Sequence, residues 1–286
     1  MLSRKKRNML KNIVGLVFSF LLTLCFTTIM LLIGCKLGVF NDAIIRKQLE
    51  KTDYYDNVHQ AIYDNSAVLL LPSGLPEEVL DGVISKEKVK KDSENTVTMG
   101  LKGEGYIPDT TELEERFRDN INKYIEENNI KANSETEEGI TKVSEQINKE
   151  YKRCLKFPFI RYFAKYQALF NKIFLPALLL FVVMSVLICV ILVRMQRWPH
   201  RGVRYISYAT LASVLMMAVP VIVLIATNVH ARINISPKYL YDLLVGVIQT
   251  DMGVMLATSF VGIVIFGVEL YLISRLKYNA EHARRD

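Results

Sequence analysis

Motifs that carry chemistry are what this chain of 286 residues has least of. It contains no Walker A stretch and no dinucleotide glycine pattern, so neither backbone phosphate cradle is available to it. Its four histidines, His59, His200, His230 and His282, are scattered without ligand spacing, and no metal site is built on them. Four cysteines form no disulfide framework. Cys25 and Cys189 fall inside apolar runs and read as packing residues, while Cys35 and Cys154 leave a single external disulfide geometrically open. Ser73, in Leu71-Pro72-Ser73-Gly74, lacks the small-residue frame of a nucleophile elbow and reads as a turn. No period-two alternation of strand length occurs. No catalytic residue, cofactor or metal is assigned.

Charge is missing in a second, more informative way. Asn12–Cys35, Ile173–Val193, Tyr205–Val229 and Met252–Val268 contain no Asp, Glu, Lys or Arg. Each approaches the ~20 residues that cross a ~30 Å hydrocarbon core, the last one when it is extended to residue 274. In lipid every backbone polar group must be paired within the segment, so each run predicts a helix. The expected fold is an all-α membrane protein: a four-transmembrane-helix bundle with an all-helical extracytoplasmic domain inserted between helices 1 and 2.

Orientation follows from the basic flanks. Residues 1–11 hold Arg4, Lys5, Lys6, Arg7 and Lys11, and the 194–204 loop holds Arg194, Arg197, Arg201 and Arg204. The 275–286 tail adds Arg275, Lys277, Arg284 and Arg285 against Glu281 and Asp286. The 230–251 loop carries only Arg232 and Lys238 opposite Asp242. Both termini are therefore expected in the cytoplasm of a multi-pass protein of the cell membrane, and residues 38–157 outside. The formal net charge is +7, yet residues 41–150 hold 24 acids and 14 bases, a balance of −10. Basic residues thus mark membrane edges, and a nucleic-acid partner is not expected.

The first span, residues 12–35, reads as an uncleaved signal-anchor. It ends in Leu31-Leu32-Ile33-Gly34-Cys35, which resembles a bacterial lipobox and makes Cys35 a candidate lipidation site. The apolar run is longer than an ordinary signal-peptide core. Gly15, Ser19, Thr23 and Thr27 recur every four residues, so they share one face suited to close helix contact. Ala209 and Ser213 in the third run, and Gly253, Ala257, Thr258 and Gly262 in the fourth, are matching seams.

In residues 38–157 one long or broken helix is predicted from Asp42 to about Leu71. A turn at Leu71–Pro76, a short helix over Glu77–Ile84 and a helix capped by Ser85 follow. Thr111 with Glu114, and Ser134 with Glu137, have capping-box spacing. Leu113, Phe117, Ile121 and Ile125 then form one buried stripe, and Ile140, Val143, Ile147 and Tyr151 another. Residues 158–172 are expected to form an interfacial amphipathic helix. Its anchors are Phe159, Tyr162, Phe163, Tyr166 and Phe170 on one face, with Arg161, Lys165 and Lys172 turned away. A second amphipathic helix is expected in the 230–251 loop, starting near Ser236-Pro237.

Glu269 is the intramembrane ionisable candidate. Two readings stay open: a structural role, as an ion pair with Arg194 or Arg204 or by snorkelling to the cytoplasmic interface near Arg275, or an ion or proton site. The lipid bilayer is the expected partner, the extracytoplasmic domain is a candidate surface for a protein partner, and no oligomeric state is assigned.

Tyr54-Tyr55, Leu71-Pro72-Ser73-Gly74-Leu75-Pro76-Glu77-Glu78-Val79 and Arg201–Ser207 after a basic loop resemble uncharacterised polytopic membrane proteins of clostridia-like low-GC Gram-positive bacteria. The resemblance spans most of the chain and implies no activity. Three functions are compatible with this layout. The first is a non-enzymatic envelope protein whose external domain senses, binds or scaffolds. The second is a transport-related subunit, since the order of spans is similar to that of FtsX/MacB-type ABC permeases. The third is an outer-surface membrane enzyme.

Overall fold

The computed structural model describes residues 4–131, 133–196, 198–229 and 234–282. Arg197, Arg232, Arg284, Arg285, Asp286 and His230 lie outside them, as do the side chains of Arg4, Lys5, Lys6, Arg7, Glu281 and His282. All regular structure among the described residues is helical: α1 (Arg4–Leu37), α2 (Asp42–Lys51), α3 (Tyr54–Leu70), α4 (Lys86–Leu101), α5 (Thr111–Glu127), α6 (Ser134–Cys154), α7 (Ile160–Met195), α8 (Pro199–Thr227) and α9 (Lys238–His282). Short 3-10 turns cover Leu71–Ser73 and Glu77–Leu80. Four helices are long and apolar enough to cross a membrane, over Lys11–Leu37, Ile160–Met195, Pro199–Thr227 and Lys238–Asn279.

Two expected boundaries disappear. Residues 158–172 do not form a separate interfacial helix, because α7 runs unbroken for 36 residues from Ile160. The boundary was one of charge, and nothing from Arg161 to Lys172 interrupts the i→i−4 ladder. Pro176 is accommodated inside the helix. Likewise, the amphipathic helix of the 230–251 loop and the fourth span are one 45-residue helix. Gln249, Thr250 and Asp251 interrupt the hydropathy there but not the backbone. Much of the 194–204 loop is helical, since α7 runs to Met195 and α8 begins at Pro199, whose missing N–H costs nothing in a first turn.

The chain divides into two bodies. One comprises residues 1–45, 169–234 and 244–286, and the other residues 46–168 with 235–243. In the first body α1 packs along α8. Gly15 and Ser19 are buried, with Gly15 against the Tyr205 ring and Ser19 Oγ donating to Tyr205 O at 2.8 Å. Thr23 Oγ1 turns back to Ser19 O at 3.0 Å. Leu22, Cys25, Ile188, Leu192 and Ala209 form a buried cluster. On α9, a Cβ at Gly262 would stand 2.5 Å from Val214 and 3.2 Å from Met30. Small residues thus let these backbones approach, which is what helix association in lipid requires.

The second body has its own core. Leu49, Tyr54, Val58 and Ile62 from α2 and α3 are buried, as are Leu113, Phe117 and Ile121 of α5, and Ile147 and Tyr151 of α6. The long first segment breaks at Asp53, which takes a left-handed φ of 48°. Ser85 caps α4 as expected, accepting from Lys88 N. The other two starts lie one residue early, at Thr110, which makes no side-chain cap bond and has Asp109 ahead of it, and at Asn133. Asp109 accepts from Thr111 N and Thr111 Oγ1 at 3.0 and 2.7 Å, and these bonds hold its carboxyl below the usual carboxylate range. Asn133 and Thr136 form the box ahead of α6, with Asn133 Oδ1 accepting from Thr136 N at 2.8 Å. Asp and Asn are as good as Ser and Thr at this task, and here they stand closer to the turn. Tyr239, at the start of α9, belongs to this core: its ring lies 5.5 Å from Tyr54 and its hydroxyl donates to Cys154 O at 3.2 Å.

Candidate functional site

Glu269 forms no ion pair with Arg194, Arg204 or Arg275. Its Oε1 accepts from Thr210 Oγ1 at 2.9 Å, and its Oε2 is buried without a partner. The single Thr210 proton is shared with Ile206 O at 3.2 Å. α9 carries another carboxylate without a partner, Asp251, which the sequence reading assigned to the loop. Asp251 is half-buried, with Oδ1 unpartnered beside Gly38. Eighteen residues are five turns of helix, so Asp251 and Glu269 lie on one face of α9 about 27 Å apart. That spacing was legible, but the hydropathy cut at Met252 separated the two. A cavity of about 390 Å³ lies against the same face, lined by Phe26, Met30, Thr210, Ser213, Thr258 and Gly262 among others. Ser213 and Thr258 spend their protons on carbonyls of their own helices, Thr210 O and Met255 O, both at 2.8 Å. Among the described residues no chain of side-chain hydrogen bonds joins the two acids, and the cavity wall is hydrocarbon.

Cys35 is a free, half-buried thiol two residues before the end of α1. Cleavage ahead of it would remove the helix whose Ser19, Leu22 and Thr23 are buried along α8. The five aromatic anchors do not act as one face. Phe159, Tyr162 and Tyr166 are exposed, whereas Phe163 and Phe170 are partly buried. Phe170 stacks on Phe40 at 4.5 Å and lies 5.6 Å from Phe174. The buried side of this stretch is Ile160, Ala164 and Gln167.

The helical body holds the more developed site. Asp92 of α4, 4% exposed, accepts from Tyr151 and Tyr106 hydroxyls, each at 2.7 Å, with Lys88 at 3.9 Å. Burial and donation to this carboxylate push both phenols up from their ordinary value. The network pins α6 and the 104–108 segment to α4. Those elements bound a groove of about 740 Å³. Lys149, Lys152 and Arg153 line one side from α6, at i, i+3 and i+4, and Lys156 joins them from two residues past the helix end. Arg161, in the first turn of α7, adds a fifth cation, and Glu104 is the one acid in the lining.

Arg153 is paired with Glu150 at 2.6 Å and Lys149 with Glu145 at 3.9 Å. Lys152, Lys156 and Arg161 have no described carboxylate within salt-bridge distance. Apart from Thr96 and Tyr106, the rest of the lining is glycine or apolar, with Leu155, Ile160 and Pro108 buried and Phe157 half-buried. Gly100 is needed there, because a Cβ would come within 2.4 Å of Ile160. Ile107 stands over the groove 82% exposed.

Nearby, Glu150 Oε1 gathers Asn65 Nδ2 at 2.8 Å and Cys154 Sγ at 3.4 Å. Burial, with Glu150 beside it, pushes the Cys154 thiol up to about 11, so it is no thiolate nucleophile at neutral pH. No group of three His, Cys, Asp or Glu side chains placed to hold a metal occurs among the described residues.

Sequence reasoning missed the groove because its acid–base count stopped at Glu150, just before Lys152, Arg153, Lys156 and Arg161. Comparison of the chain with protein-family models, with curated proteins and with solved structures returned no match.

Proposed function

We propose that this chain is a non-enzymatic integral membrane protein of the cell envelope whose helical body lies outside the cytoplasm and binds a ligand there. The groove carries this reading. It combines a volume in the range of ligand sites, about 300–1,000 Å³, with convergent charges and an apolar floor. The basic flanks at Arg4–Lys11 and Arg194–Arg204 support the orientation, which places both termini inside.

The test uses the full chain in cells. A photo-crosslinking side chain in place of Lys102, exposed on the segment after α4, is expected to capture an envelope component from outside. A single-cysteine variant at Glu127 is expected to react with a membrane-impermeant maleimide, and one at Arg201 only after lysis. Reversed labelling, or no captured species, sinks the reading.

A second reading, a transport-related subunit with FtsX/MacB-like topology, draws on the two carboxylates on one face of α9 beside the apolar cavity. It requires loss of function in Glu269→Gln and Asp251→Asn and co-purification with an ATPase.

A further inference from the structure

We propose that the groove between the end of α6 and the 104–108 segment binds an anionic amphiphile: a phosphate-bearing headgroup held by Lys152, Lys156 and Arg161, with its apolar chain on the Ile160–Leu155–Phe157 floor. This inference rests on the helical body being a ligand-binding domain and names the chemistry of the ligand.

The cations need an explanation. Like charges at i, i+3 and i, i+4 repel, at about 0.2–0.5 kcal/mol per pair on a helix. Lys149, Lys152 and Arg153 stand together on the last two turns of α6 with Lys156 two residues past its end, within a segment that is otherwise strongly acidic, and only Lys149 and Arg153 have a paired acid. The helix macrodipole favours cations at a C-terminus, which accounts for part of this. It does not account for Arg161. That side chain sits in the first turn of α7, where the dipole disfavours a cation, yet it lines the same groove. A bound anion removes the repulsion within α6 and offsets the cost at Arg161. Phosphate oxygens suit this set, accepting from Lys ammonium and bidentately from Arg.

The apolar floor selects among anions. Free phosphate would satisfy the cations and leave Ile107 exposed and Phe157 half-exposed above the buried Leu155 and Ile160. A neutral lipid would cover the floor and bury the cations unpaired, which is costly. An acidic peptide or polyphosphate spreads its charge along its length, whereas here the charges line one wall and hydrocarbon the floor. One molecule carrying both chemistries satisfies the whole lining.

The experiment uses the full chain in a non-ionic detergent, read by native mass spectrometry and by thermal stability. Short-chain phosphatidic acid is the probe; diacylglycerol of the same chain length, inorganic phosphate and polyphosphate are the comparisons. Saturable retention of phosphatidic acid is expected, weakening as sodium chloride is raised. The triple variant Lys152→Glu, Lys156→Glu, Arg161→Glu is expected to lose at least ~tenfold in affinity, since each charge-assisted hydrogen bond lost is worth about a decade. Ile107→Ser is expected to weaken phosphatidic acid and leave inorganic phosphate unchanged.

Equal binding by the triple variant, or equal affinity for diacylglycerol, overturns the proposal. Polyphosphate binding as tightly as phosphatidic acid, untouched by Ile107→Ser, overturns it in favour of a polyanion site. Should the triple variant misfold, single Lys156→Glu and the salt dependence decide: salt-independent binding overturns the proposal. Binding in detergent does not depend on membrane side. Inward-facing labelling with intact phosphatidic acid binding would therefore fell the external-domain reading alone, and the converse result this inference alone.

Discussion

Tyr151→Phe removes one hydroxyl from the centre of the helical body and tests whether the Asp92 network holds the groove's walls together. Tyr151 is fully buried and donates to Asp92 Oδ2 at 2.7 Å, so no water replaces the lost donor. A hydrogen bond to a charged acceptor contributes about 1.5–3 kcal/mol. Tyr106 makes the same bond to Oδ1 but is half-buried, and water offsets part of its loss, leaving about 0.5–1.5 kcal/mol for Tyr106→Phe.

The assay is hydrogen exchange by mass spectrometry on the full chain in detergent, following peptides from α4 and α6, because opening of one body is read locally. Exchange in these peptides is expected to rise roughly tenfold to a hundredfold in Tyr151→Phe, and less in Tyr106→Phe. The pH dependence follows from the raised Tyr151 phenol. The folded state disfavours phenolate, so this contribution is whole below the ordinary tyrosine value of about 10 and is lost as pH climbs above it. Wild-type α6 protection is expected to fall more steeply above that pH than protection in Tyr151→Phe. Unchanged α6 protection in Tyr151→Phe, or an equal loss in Tyr106→Phe, refutes the reasoning.

Cys154, buried and held protonated beside Glu150, is expected to resist maleimide in the folded chain at neutral pH and to react on denaturation. Ready labelling of the native protein counts against the packing described. Gly262→Val is expected to destabilise the bundle by about 1–3 kcal/mol through overpacking against Val214 and Met30. Gly267→Ala, where a Cβ meets nothing within 4 Å, serves as the control. Equal thermal stability of the two variants in detergent contradicts the close α8–α9 approach.

Much of the helical pattern was open to reading. The α5 stripe is buried at Leu113, Phe117 and Ile121 and the α6 stripe at Ile147 and Tyr151, while Ile125, Ile140 and Val143 are only partly buried. Ser19 and Thr23 lie in a packed seam, whereas Gly253 and Ala257 of the expected fourth-run seam are exposed. Caps were harder to place because Asp109 and Asn133, side chains of the same capping kind, stand just ahead of Thr111 and Ser134 and accept from Thr111 N and Thr136 N. Helix lengths were misjudged wherever composition changed while the backbone did not, as at Lys172 and Asp251.

Local periodicity and the absence of charge are properties of consecutive residues, so helix content and the four membrane-length runs were determined by the sequence itself. The groove and the two α9 acids depend on side chains far apart in the chain. Arg161 stands beside Lys152 only because α6 ends at Cys154 and α7 starts at Ile160, and Tyr106 closes on Asp92 only because the 104–108 segment folds back onto α4. Such juxtapositions are set by packing, which no window along the chain contains. Tertiary structure therefore decided where cations gather in an otherwise acidic domain, and with that what chemistry the domain offers a ligand.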